Sequence, residues 1–128
     1  MKFLSVYRTK ERATPPSSAE MQRMGKLIEE GFKSGKLLAT EGCMPTALGA
    51  LVRQDAKTGT ATVTDGPFSE AKEVIGGFAI FQAASKEEAI DFVRDFLGVV
   101  GEGECELRQV YEAGDMIPCQ DQAAKAQA

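Results

Sequence analysis

The stretch GFAIFQA, residues 77–83, carries apolar side chains at both odd and even positions. A strand with one face in water alternates apolar and polar residues, so this pattern is typical of a central strand covered on both faces. Ser85 and Glu88 follow as an S-x-x-E capping box, which predicts the start of a helix. Apolar residues then recur at helical spacing up to a predicted stop at Gly98.

The beginning of the chain has the same arrangement of a strand followed by a capped helix. Residues 2–8, KFLSVYR, are predicted to form a strand. Ser17 and Glu20 form a second capping box, and Gly35 is the predicted end of the helix that follows. This helix has one apolar stripe, formed by Met21, Met24, Leu27, Ile28, Gly31 and Phe32.

The remaining strands complete an α+β fold. A short extended piece is expected at residues 37–40, and the last strand at residues 104–111. Residues 47–54 and 60–65 are predicted to form a hairpin, with Gly59 at positive φ in its loop. The order β-α-β-β-(β)-α-β predicts a ferredoxin-like fold, an antiparallel sheet with two helices on one face. Residues 1–112 are expected to form this domain, and residues 113–128 a polar tail that is expected to be mobile.

The predicted layers leave one face of the sheet without a cover. Two helices protect one face, yet the apolarity of residues 77–83 on both sides predicts that the other face is also dry. Soluble proteins seldom expose a large apolar patch. We therefore expect a homodimer in which two sheets pack face to face.

Composition excludes several classes of function. The chain has 128 residues, a formal net charge of −4 and no basic cluster, which argues against a nucleic-acid partner. No apolar run approaches the roughly 20 residues that span a bilayer, so no membrane contact and a cytoplasmic location are expected. The three cysteines have no metal-site spacing and are expected to be free thiols. Histidine is absent, which excludes histidine-based triads and metal sites, and neither a metal nor a cofactor is predicted.

The connection between residues 60–65 and 77–83 combines turn-forming residues, an aromatic residue and several ionisable residues in one segment. Asp65 and Gly66 are a turn signal, Pro67 fixes φ, and Phe68 needs a place to be buried. Two interpretations are open. In the structural one, Asp65 caps its own turn, Phe68 anchors the loop and the nearby charges are solvated. In the functional one, Asp65 is a general acid or base, with Glu70 or Glu73 as its partner.

The run VTDGPF followed by SEAKEVIGGF resembles the signature of the YCII-related domain family, in its DGPF branch. The resemblance extends to KFLSVYR at the start, to Glu41, Gly42 and Pro45 in an E-G-x-x-P pattern, and to ELRQVYE near the end. It implies a dimeric α+β barrel, in agreement with the homodimer expected from strand patterning. Some family members carry a His–Asp pair proposed as catalytic, and some relatives act as lyases on chlorinated aromatic compounds. Because this chain has no histidine, only the aspartate of that pair has a counterpart in this sequence, and it is Asp65.

Two functional hypotheses follow. The first is a homodimeric small-molecule-binding protein, with lyase-like activity as one form of this function. Its pocket would lie between the sheet and the DGPF loop, with Asp65 as the catalytic group. Its ligand-binding candidates are Tyr7, Arg8, Glu41, Gly66, Pro67, Phe68 and Glu73. The second is a non-enzymatic interaction module, since other branches of the family are found beside genes for sigma factors. For Arg8 a solvated strand end, and for Glu41 a carboxylate that binds its own turn, remain alternatives.

Overall fold

A computed structural model of the chain describes residues 1–11, 14–67 and 73–115. The elements in chain order are β1 (Lys2–Thr9), α1 (Ser18–Lys33), β2 (Leu37–Gly42), β3 (Ala50–Gln54), β4 (Ala61–Asp65), β5 (Val74–Gln82), α2 (Lys86–Val100) and β6 (Glu104–Gln109). A short 3₁₀ turn, Thr46–Leu48, lies between β2 and β3.

The main sheet has four antiparallel strands in the order β2-β5-β1-β6, and both helices pack on one of its faces. This is the predicted ferredoxin-like arrangement, with the β3–β4 hairpin inserted between the second and third strands of the sheet. The stretch at residues 77–83 lies almost entirely in β5, between β2 and β1. The predictions of an α+β fold and of a central strand are confirmed.

Both helices begin at the predicted caps. The N–H of Glu20 donates to Ser17 Oγ (3.2 Å), and the N–H of Glu88 donates to Ser85 Oγ (3.1 Å). The carboxylate of Glu88 accepts a hydrogen bond from the N–H of Ala84 (2.8 Å). This bond, together with a hydrogen bond from Lys36, holds the pKa of Glu88 below its usual value. Side chains therefore satisfy backbone donors at both helix starts.

The predicted end of α2 at Gly98 is wrong. The helix continues to Val100 and ends at Gly101, which has φ of 81° and whose N–H donates to the carbonyl of Leu97 (2.8 Å). Helices commonly end at a residue in the left-handed conformation, which Gly101 adopts and Gly98 does not. A glycine inside a helix costs only about 1 kcal/mol, which the packing of the helix offsets.

The strand predicted over residues 47–54 begins later than expected. The N–H groups of Leu48 and Gly49 donate to the carbonyls of Pro45 and Thr46 (both 3.0 Å), which forms the 3₁₀ turn. The carboxylate of Glu11 accepts hydrogen bonds from the N–H of Thr46 (2.6 Å) and from its hydroxyl (2.8 Å). This contact ties the base of the hairpin to the segment after β1, which local sequence does not reveal.

The core lies between the sheet and the helices, at the end of the sheet where β1 begins. Phe81 is fully buried and stacks on Phe3 (centroids 6.0 Å apart) and on Phe92 (4.4 Å). The apolar stripe of α1 is only partly covered, since Met21 is 61% and Phe32 is 47% exposed. The buried hydrophobic core consists of Phe3, Leu37, Phe81, Ala83, Ala89 and Val93.

The opposite side of the sheet, here called the open face, carries the other set of alternating side chains. Strand register places Leu4 beside Ile80 and Val6 beside Phe78, on the side away from the helices. All four are partly exposed in the single chain. Within the described ranges, no helix has the length and hydrophobicity needed to cross a membrane.

Candidate functional site

A cavity of about 520 Å³ lies between the helix-facing side of the sheet and the two helices. It is bordered by residues of β1, α1, β2, β5 and α2. Most of its wall is apolar, and the aromatic side chains of Tyr7, Phe92 and Phe96 contribute to it. The residues that border the cavity include Ser5, Tyr7, Glu20, Gly25, Thr40, Glu41, Phe78, Ala79, Phe92 and Phe96.

The cavity exists because small side chains follow large ones along the sheet. Leu37, Phe81 and Phe3 pair across three strands and fill the core. The next two rows on the same face have less volume, so the layer between sheet and helices is not filled there. These rows consist of Thr40, Ala79 and Ser5, and of Gly42, Gly77 and Tyr7.

Tyr7 forms one aromatic wall of the cavity and is held at both ends. Its ring meets the ring of Phe96 edge to face, with centroids 5.0 Å apart and planes at 82°. Its hydroxyl donates to the carbonyl oxygen of Glu102 (2.7 Å). The ring is therefore fixed in the wall by an aromatic contact and a hydrogen bond.

Glu20 supplies a buried carboxylate to the cavity. The residue lies in the first turn of α1, borders the cavity and is only 9% exposed. From the sequence, Glu20 was predicted only as part of the capping box, and its position at the cavity was not predicted. A signal was present, because Glu20 precedes Met24 by four positions and therefore shares the inward stripe of the helix.

The ligand-binding candidates Tyr7 and Glu41 both border the cavity, but Glu41 pairs with Phe78, so its side chain lies on the open face and only its backbone can face the cavity. Arg8 does not border it, because Arg8 follows Tyr7 in the strand and lies on the open face. There its guanidinium pairs with Glu106 (2.9 Å), which also binds Arg108 (3.2 Å). The hydrogen bonds from Arg8 and then Arg108 hold the pKa of Glu106 below its usual value.

The described residues of the DGPF turn, Asp65 to Pro67, lie at the base of the β3–β4 hairpin, and none of the three borders the cavity. Asp65 is exposed, ends β4 and pairs with Ala50. The N–H of Gly66 donates to the carbonyl of Gly49 (3.0 Å), and exposed Pro67 follows it. Glu73 is exposed just before β5, whereas Phe68 and Glu70 lie outside the described residues.

The cysteines are free where the structure describes them, and neither borders the cavity. Cys43 is exposed. Burial raises the pKa of the Cys105 thiol, and a hydrogen bond from Ser5 opposes this effect. A thiol with a raised pKa is a poor nucleophile at neutral pH. Cys119 lies outside the described residues. No group of three or more His, Cys, Asp or Glu side chains within the described ranges is placed to hold a metal ion.

Comparison with known proteins matches residues 1–114 to the YCII-related domain family. An uncharacterised protein of Rhizobium meliloti (strain 1021) is 36% identical over 99 residues, which are 75% of this chain and 78% of that protein. Among solved structures, 5-chloro-2-hydroxyhydroquinone dehydrochlorinase from Burkholderia phenoliruptrix AC1100, in complex with 2,5-dihydroxybenzoquinone, is 20% identical. Its TM-score is 0.43, with 89% of this chain and 97% of that chain covered. The family match spans β1 to β6 and includes every residue that borders the cavity.

Proposed function

We propose that this chain, which belongs to the YCII-related domain family, binds a small molecule in the cavity between its sheet and helices. The observation that carries the proposal is the cavity itself. Its volume of about 520 Å³ falls in the range of known ligand sites. Its wall is largely apolar with a few polar groups, which is the composition that such sites have.

We further propose that the working form is a homodimer. The open face presents Leu4, Val6, Phe78 and Ile80 as one continuous apolar surface across β1 and β5. A second copy packed sheet to sheet would remove this surface from water in both subunits, which is energetically favourable. The cavity lies on the other side of the sheet, so dimer formation and ligand binding can be tested separately.

Replacing Gly25 with Leu is expected to abolish ligand binding and leave the fold intact. Gly25 borders the cavity, and a Cβ added there meets no atom within 4 Å. The larger side chain would occupy the space of the ligand. The helix itself should gain up to about 1 kcal/mol, because Leu favours a helix more than Gly does. The measurement is a thermal-shift screen of small metabolites and aromatic compounds on wild type and variant.

The matched control is Gly98→Leu. Gly98 lies in α2, does not border the cavity, and also has open space around an added Cβ. A ligand at about 100 times its Kd adds roughly 2.7 kcal/mol of stability, which raises the melting temperature by several degrees. This shift should appear in wild type and Gly98→Leu and disappear in Gly25→Leu. A shift that persists in Gly25→Leu would locate the ligand elsewhere.

The catalytic role of Asp65 stays a prediction, and Asp65→Asn tests it. Because Asp65 is exposed and outside the cavity wall, the variant should keep its ligand affinity within about twofold and its stability within about 0.5 kcal/mol. If the protein is a lyase that uses this carboxylate, turnover of a bound compound should fall while binding is retained. Turnover that survives unchanged in Asp65→Asn would exclude Asp65 as the acid–base group.

A second candidate function, an interaction module, is favoured by the hairpin. Every residue of β3 and β4 is exposed, including Val52 at 66% and Val63 at 64%. These two side chains pair across the hairpin. A two-stranded hairpin alone in water is only marginally stable, so a protein surface against it would stabilise it. This alternative predicts that no compound shifts the melting temperature of the wild type.

A further inference from the structure

The cavity is elongated in the direction of the two helices. In α1 its lining extends from Glu20 to Ile28, and in α2 it extends from Phe92 to Val100. Each of these spans advances by eight residues, which corresponds to about 12 Å of helix. Only an elongated ligand can therefore contact both ends of the cavity.

One end of the cavity, here called the inner end, adjoins the hydrophobic core. Ile28 and Phe92 lie at this end of the two spans, and both pack against the buried core. Phe92 stacks on the fully buried ring of Phe81, with centroids 4.4 Å apart. Leu37, which belongs to the core and is 4% exposed, also borders the cavity. A ligand group at the inner end is therefore surrounded by apolar side chains.

The opposite end, here called the mouth, is bordered by Pro16, Glu20 and Gly42. Gly42 pairs with Gly77, which is four residues before Phe81 in β5 and thus about 13 Å from the core along the strand. Pro16 and Gly42 are both exposed. Glu20, in the first turn of α1, already has a partner within the protein. A polar group of a ligand can remain in contact with water at the mouth.

The lining beyond the mouth contains few polar groups, and these are hydrogen-bonded within the protein. The hydroxyl of Thr40 donates to the carbonyl of Phe78 (2.9 Å), and the hydroxyl of Ser5 hydrogen-bonds the sulfur of Cys105. Apart from Glu20, the described residues that α1 and α2 contribute to the lining carry no charged side chain. A charge brought to the inner end would therefore be buried without an ion pair, which is costly.

We propose that the cavity takes an amphipathic ligand with one elongated apolar tail, which enters first and leaves the polar group at the mouth. This inference rests on the proposed function and narrows its ligand class. The tail passes over Ala79, which lies between Thr40 and Ser5 on the face of the sheet that also carries Phe81. The small side chain of Ala79 leaves the space that the tail fills.

A series of unbranched alcohols from butanol to decanol tests whether a tail enters the cavity. Dissociation constants for the full chain are measured by NMR titration. Affinity should rise about fourfold with each added methylene group, because each is removed from water, until the tail reaches the core. An affinity that does not rise with chain length would overturn the proposal.

Ala79→Leu tests the path of the tail, because it places a larger side chain in that path. The longest alcohol that still gains affinity should be about three carbon atoms shorter in this variant than in wild type. The matched control is Ala61→Leu, the same change in β4 of the exposed hairpin, which should keep the wild-type dependence on chain length. A dependence that is also unchanged in Ala79→Leu would contradict the proposal.

Two amines test the orientation of the ligand on the wild type, and they decide alone if Ala79→Leu does not fold. Octylamine can leave its ammonium group at the mouth, whereas 1,8-diaminooctane must bring a second one to the inner end. The diamine should bind at least about 100-fold more weakly, because burying an unpaired charge is costly. Equal affinities would overturn the orientation and the proposal with it.

The outcomes separate this proposal from the proposed function. If no alcohol or amine binds but the thermal-shift screen finds another ligand, the ligand class fails and the binding function stands. If the screen also finds no ligand, the proposed function fails and the ligand class fails with it.

Discussion

Replacing Ile80 with Lys is expected to convert the proposed homodimer into monomers. Ile80 lies on the open face between Leu4 of β1 and Ala39 of β2, so no carboxylate is its direct cross-strand neighbour. A dimer formed sheet to sheet would bury the new ammonium group in both subunits. Burying an unpaired charge costs several kcal/mol. We expect the dissociation constant to rise by at least about 1,000-fold, measured by analytical ultracentrifugation.

The control is Val52→Lys, which makes a similar change on the exposed hairpin. Val52 is 66% exposed and lies outside the main sheet, so this variant should remain dimeric. The fold of Ile80→Lys should persist, because Ile80 faces away from the helices and the core at Phe81 is untouched. A dimer lost in Val52→Lys and retained in Ile80→Lys would place the interface on the hairpin.

Much of the fold follows from local sequence. The two capping boxes at Ser17 and Ser85 predict both helix starts, because a side chain that binds a backbone donor leaves a recognisable spacing. The two-sided apolarity of residues 77–83 predicts a central strand, since such a pattern is suited only to a strand covered on both faces. These signals each depend on a few neighbouring residues.

The incorrect predictions occur where a contact between residues far apart in the sequence determines the local structure. Gly98 resembles a helix end, but the tertiary packing of α2 carries the helix on to Gly101. Residues 47–48 resemble the start of a strand, but Glu11 binds Thr46 from another part of the chain and a 3₁₀ turn forms instead. Propensity is a weak determinant wherever a long-range contact opposes it.

The cavity was not predictable from the sequence. It arises because Ser5, Ala79 and Thr40 meet in one row across three strands, and strand register is not visible in any single strand. Of the residues that border it, the sequence indicated Tyr7 and Glu41 but not Glu20, because the capping box already accounted for that carboxylate. Arg8 was joined to the predicted site through its proximity to Tyr7, although neighbouring strand residues face opposite sides.

Gly66→Ala is expected to open the base of the hairpin, which would assign the DGPF turn a structural role. A Cβ added at Gly66 would overlap the carbonyl oxygen of Thr46, and backbone cannot move aside as a flexible side chain can. The overlap should cost about 3 kcal/mol or more, which exceeds what an exposed two-stranded hairpin can offset. Hydrogen exchange should show that amide protection in β3 and β4 is lost, while β1 and β5 remain protected.

Gly49→Ala is the control for the same junction. A Cβ at Gly49 would lie 3.7 Å from the same Thr46 oxygen, an ordinary contact, so protection of the hairpin should be retained. If both variants keep the hairpin closed, Gly66 is not required for packing, and its place in the motif needs a functional explanation. If only Gly66→Ala opens the hairpin, and the ligand-induced thermal shift survives, the turn acts in architecture and the cavity acts in binding. Loss of the thermal shift in Gly66→Ala alone would instead show that ligand binding in the cavity depends on a closed hairpin base.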